Sequence, residues 1–114
     1  MKKQIKIKFD EIEKQKQKAR EESDKILREA DEKAKQIRDA AKVASEQARK
    51  EGYAAADKLV KETKNPIAKV AAEETAKKMK KETDKKSQQI IDEGNRNSQK
   101  ILDEARKKAD ELLK

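Results

Sequence analysis

Residues 19–62 read AREESDKILRE, ADEKAKQIRDA, AKVASEQARKE and GYAAADKLVKE; residues 72–114 read AEETAKKMKKE, TDKKSQQIIDE, GNRNSQKILDE and ARKKADELLK. Aligned in elevens, the first position holds Ala19, Ala30, Ala41 and Gly52, then Ala72, Thr83, Gly94 and Ala105. The fifth holds Ser23, Ala34, Ser45 and Ala56, then Ala76, Ser87, Ser98 and Ala109. The eighth holds Ile26, Ile37, Ala48 and Leu59, then Met79, Ile90, Ile101 and Leu112. Three helical turns therefore take eleven residues, about 3.67 per turn, which predicts a right-handed supercoil rather than the left-handed heptad kind. Ala, Glu, Lys, Gln and Arg, all strong helix formers, dominate the other positions. The pattern predicts two long helices.

Lys64-Asn65-Pro66 separates them. Proline has no amide donor and disfavours helix at the residue before it, whereas Asn caps well and Pro suits a first helical position. The repeat also loses phase here, since Thr63, Ile67 and Val70 would follow Leu59 while the second set keys on Ala72. A turn explains that slip better than a kink. The expected organisation is a basic amino-terminal overhang over 1–17, helix 1 over 18–63, a turn over 64–66 and helix 2 over 67–114, forming one elongated domain. At about 1.5 Å per residue each arm spans roughly 65–70 Å.

Folding back at Asn65-Pro66 pairs residues whose numbers sum to 131 or 132. Leu59 then faces Ala72, Gly52 faces Met79, Ala41 faces Ile90 and Ile37 faces Gly94. Further out, Ala30 faces Ile101, Ile26 faces Ala105 and Ala19 faces Leu112. Large residues meet small ones, while Ala56 with Ala76 and Ser45 with Ser87 are small on both sides. Such a seam lets two backbones approach closely. The fold class is all-α: a long antiparallel two-helix hairpin with an eleven-residue seam formed by Ile26, Ile37, Leu59, Met79, Ile90, Ile101, Leu112, Gly52 and Gly94.

Composition agrees and excludes much chemistry. Of the 114 residues 49% are charged, 32% apolar and 2% aromatic, with no His, Cys or Trp. There is no imidazole base, thiol nucleophile or soft metal site. The acid pairs Glu21/Glu22, Glu73/Glu74, Asp92/Glu93 and Asp103/Glu104 read as solvated ion-pair partners. Two helices offer no pocket in which a general acid could be tuned. Gly52 and Gly94 occupy small seam positions, not a phosphate loop, and Asn95, Arg96 and Asn97 receive no role. The expectation is no enzyme, no cofactor and no metal.

The net charge of +8 is uneven. Residues 1–20 carry eight basic against three acidic side chains, and Lys77, Lys78, Lys80, Lys81, Lys85 and Lys86 form a second concentration. A solvated surface explains most of this. No aromatic interleaving or recognition motif points to specific nucleic acid, but peripheral contact with an anionic membrane is compatible. No run approaches the roughly 20 apolar residues of a membrane span, and no signal-peptide core follows Met1-Lys2-Lys3, so the default expectation is cytoplasmic.

Two apolar sets remain outside the seam. Ile5, Phe9 and Ile12 suit one helical face, while Ile5, Ile7 and Phe9 suit a short strand. Leu27, Val60, Ile91, Leu102 and Leu113 each follow an eighth-position residue and widen the apolar stripe. Ile5, Phe9, Ile12, Leu27, Ile91 and Leu102 are the candidate partner-docking residues. The seam alone is thin, so self-association as a dimer of hairpins, or a helical protein partner, is expected.

The phrases ILREADEKAKQI and SQQIIDEGNRNSQKILDEARKKADELL resemble the peripheral-stalk subunits of rotary ATPases. That resemblance implies right-handed, eleven-residue-repeat helices with Ala and Ile/Leu seams over 19–62 and 72–114. The chain departs from the stalks by folding back at Pro66, and no functional residue carries over. A second likeness, to late-embryogenesis-abundant proteins and exchangeable apolipoproteins, rests on segments such as GYAAADKLVKE and implies an interfacial stripe. The expected function is a non-enzymatic structural or interaction module, a coiled-coil hairpin serving as spacer or scaffold with a basic docking end. The alternative is a surface-active or protective amphipathic helical protein that binds anionic lipid.

Overall fold

The computed structural model describes the backbone from Lys2 to Lys114 and the side chains from Ile5 onward. It contains two helices, α1 over Lys2–Glu62 and α2 over Pro66–Leu113, and among the described residues no strand. The chain is an antiparallel helical hairpin. Neither glycine nor any other described residue takes a positive φ.

Residues 63–65 make the turn, and Thr63 and Asn65 close the two helix ends beside it. Thr63 N donates to Val60 O at 3.3 Å, and Thr63 Oγ1 donates to Leu59 O at 2.8 Å, so two carbonyls left over at the end of α1 are satisfied. Asn65 Oδ1 accepts from Ile67 N at 2.9 Å and Ala68 N at 3.2 Å, while Asn65 O accepts from Lys69 N at 2.8 Å. Asn65 is thus the N-cap of α2. Pro66 is its first residue rather than the last of the turn, because that position needs no amide donor and welcomes a fixed φ.

The amino-terminal stretch departs from expectation. Helix 1 begins at Lys2, not at residue 18, and the strand reading of Ile5, Ile7 and Phe9 is replaced by continuous helix. The physical reason is the absence of any stop signal. No Gly or Pro occurs before Gly52, and Lys, Gln, Glu and Ile all propagate a helix already anchored further on.

The chain divides into two compact units. One comprises residues 37–96 and contains the turn; the other comprises residues 1–36 with 97–114. Each has a core of small side chains. In the turn unit Ser45, Ala56, Ala72, Ala76, Ser87 and Gly94 are buried; in the other, Ser23, Ala30, Ala34, Ser98, Ala105 and Ala109. All sixteen first- and fifth-position residues but Ala19, Ala41, Gly52 and Thr83 are in these sets, and those four are half-buried.

Replacing Asn65 with Ala removes both capping acceptor contacts. The expected loss is about 1 kcal/mol of stability, read as a fall in the midpoint of a thermal melt followed by circular dichroism, with helix content at low temperature unchanged.

Candidate functional site

A seam of small residues brings the two helices close enough for direct polar contact. Ser45 Oγ donates to Ser87 O at 3.0 Å and Ser87 Oγ donates to Ser45 O at 3.2 Å, with the two hydroxyl oxygens also in contact. Each hydroxyl has one proton, so at any moment two of these three contacts carry one, and either hydroxyl can donate to the other or to the opposite carbonyl. Both residues are buried, at 2% and 8% exposure, which ties the polar pair to one register. Sliding the helices would leave buried hydroxyls without partners.

The glycines mark the closest approaches. A Cβ placed on Gly52 would lie 2.8 Å from Thr83 Cβ and would also overlap both branches of that side chain. A Cβ on Gly94 would overlap the Ala41 methyl, whereas Ile37 O and Ala41 Cα stand at ordinary distances of 3.7 and 3.8 Å. The sequence pairing had set Gly52 against Met79 and Gly94 against Ile37. Each glycine sits beside two partner residues one turn apart, Met79 and Thr83 for Gly52 and Ile37 and Ala41 for Gly94, because the side chains of packed helices interdigitate. Met79 still borders the hollow beside Gly52, and Ile37 still meets Gly94 through its backbone.

The large seam residues flank this line instead of filling it. Ile26, Ile37, Leu59, Met79, Ile90 and Ile101 are half-buried, and Leu112 is exposed. Ile26 and Ile101 border one hollow with Ala30 and Ala105. Of the docking candidates, Leu27, Ile91 and Leu102 are half-buried, as is Val60, whereas Ile5, Phe9 and Ile12 are 70%, 61% and 50% exposed. Ile12 borders an open hollow of about 750 Å³ with Lys16, Ala19, Leu112 and Leu113.

A cross-helix cluster around Tyr53 escaped the sequence reading. Tyr53 Oη donates to both oxygens of Asp84, at 2.9 and 3.0 Å, and Arg49 Nε lies 3.5 Å from Asp84 Oδ1. The Arg49 guanidinium and the Lys80 ammonium sit 5.4 and 5.3 Å from the Tyr53 ring centroid, a pair of cation–π contacts. Lys80 Nζ closes the set at 2.8 Å from Asp57 Oδ1. The signal was available: Arg49, Tyr53 and Asp57 are four apart, as are Lys80 and Asp84, so the two rows face each other once the register is known.

The Asp57 hydrogen bond, helped by the charges of Asp57 and Tyr53 and opposed by desolvation, raises the Lys80 ammonium above its ordinary pKa of 10.5. Its contribution to stability is therefore complete below pH 10.5 and is lost as pH climbs past the raised value. Among the described residues no group of three or more His, Cys, Asp or Glu could hold a metal ion, and no helix is long and apolar enough to cross a membrane.

Comparison of the chain with protein-family models, curated proteins and solved structures finds no match.

The Gly94 contact makes a sharp test. Gly94→Ala gains about 1 kcal/mol of helix propensity, yet the overlap with Ala41 should outweigh it and destabilise the hairpin by about 1–3 kcal/mol net. Adding Ala41→Gly removes the only atom in the way, so the double variant should recover the melting temperature of the parent. A Gly94→Ala variant that melts higher than the parent contradicts the close approach.

Proposed function

We propose that this chain is a non-enzymatic structural module, a rigid helical-hairpin spacer that associates through its sides and docks through its basic amino-terminal stretch. The observation that carries this reading is the division of its surface. The seam is small and pinned by the Ser45–Ser87 hydrogen bonds, while the exposed large apolar residues gather elsewhere. Apart from Val43 they are Ile5, Ile7, Phe9 and Ile12, Leu112 and Leu113, and Ile67 and Val70 beside the turn. The eleven-residue spacing of Ser23, Ala34, Ser45 and Ala56, and of Ala76, Ser87, Ser98 and Ala109, supports a right-handed seam over the whole repeat.

Self-association follows from how little is enclosed. No large side chain is fully buried among the described residues, and the buried apolar set is entirely alanine. Alanine burial contributes little per residue, so an isolated hairpin is marginal. The half-buried stripe of Leu27, Val60, Ile91 and Leu102 is the apolar surface that a second hairpin would cover. Two hairpins packed along it make a four-helix arrangement.

A buried polar pair bridging two helices has no use in a chain that folds only against lipid, which favours the spacer over the surface-active reading. Circular dichroism separates them: the spacer melts cooperatively in buffer without vesicles, whereas the other gains helix only on adding lipid. Sedimentation equilibrium should give a dimer, and Ile91→Ser with Leu102→Ser should shift it toward monomer and lower its melting temperature. A compact monomer that melts cooperatively and ignores both substitutions rules out the dimer.

A further inference from the structure

The docking stretch has a composition that narrows its partner. Ile5, Phe9 and Ile12 are spaced four and three apart on α1, which puts them within an arc of about 60°. All three are well exposed, and Phe9 is the only phenylalanine in the chain. Lys8 and Lys6 flank the arc on its two sides, and Lys16 falls within it one turn beyond Ile12. Asp10 and Glu11 fall about 100° outside the arc in opposite directions. Glu13 lies nearer but pairs with Lys16 at 4.0 Å.

Charge decides among the occupants. Residues 1–20 hold eight basic against three acidic side chains, so two such stretches repel, and a second copy is a poor partner here. Seven of the eight are lysine, with Arg20 the exception. Protein interfaces and carboxylate recognition favour arginine, whose planar fork binds bidentately, and are poor in lysine. A diffuse anionic sheet asks only for mobile point charges around an apolar strip, which is the composition found.

We propose that the 5–16 stretch of α1 lies in the interface of an anionic lipid surface, with Ile5, Phe9 and Ile12 inserted and the lysines among the headgroups. This assignment rests on the docking-end reading above and names its partner. Three inserted side chains make the attachment weak, reversible and sensitive to salt.

The chain lacks tryptophan, so Phe9→Trp in the full chain supplies a single reporter. At low salt its emission should shift to the blue with phosphatidylcholine vesicles containing phosphatidylserine, and not with phosphatidylcholine alone. In co-sedimentation of the otherwise unchanged chain, Phe9→Ser, and separately Lys6→Glu with Lys8→Glu, should each weaken binding about tenfold or more. Ile67→Ser, which removes a still more exposed apolar residue beside the turn, should leave it unchanged. Circular dichroism should show full helicity for every variant, since all these side chains are exposed. No binding to phosphatidylserine vesicles, or binding indifferent to Phe9→Ser, overturns the lipid assignment. Capture of polyglutamate without capture of vesicles also overturns it but preserves a docking end for acidic protein; capture of neither removes both.

Discussion

The distance between two helix backbones governs this hairpin. Where Gly94 meets Ala41 and Gly52 meets Thr83, there is no room for one more methyl group. At that separation the Ser45 and Ser87 hydroxyls reach the opposite main chain directly, so the contact is polar as well as steric. Packing this close replaces the usual core: contacts come from many alanine and serine side chains against backbone, not from a few large residues interlocked. The large residues then have nowhere to go but the flanks, where Ile26, Ile37, Leu59 and their counterparts are left half-buried.

The same constraint explains the composition. A seam of Ala, Ser and Gly has no space for aromatic rings, and Tyr53 sits beside it, held by Asp84 and enclosed by Arg49 and Lys80. Phe9 lies outside the seam altogether, on exposed helix. The abundance of charge follows too, because a two-helix hairpin exposes most positions of each helix and those positions must be wet. Among the described residues, Lys80 with Asp57 and Arg49 with Asp84 pair across the helices, and at such exposure they orient the surface more than they stabilise it.

Much of the fold was legible because its signals are local or periodic. Asn65 and Pro66 announce a helix start by their own backbone chemistry, and the recurrence of small residues at the fifth position marks the buried line. The start of α1 was less legible, since Ile5, Ile7 and Phe9 satisfy both a strand alternation and, with Ile12, a helical face. Only continuity with the helix that follows selects between them. The Tyr53 cluster was hidden for a different reason: its cross-helix partners, Lys80 with Asp57 and Tyr53 with Asp84, lie 23 and 31 residues apart, and no local pattern links them.

By itself, the sequence determined that this chain forms two helices and where they turn, because helix propensity, capping and proline geometry act within a few turns of chain. Tertiary structure alone decided which atom meets which. Gly52 lies beside both Met79 and Thr83, and Gly94 beside both the Ile37 backbone and the Ala41 methyl, two partner residues one turn apart in each case. A pairing by residue number names one partner per position; packed helices interdigitate and give each position two.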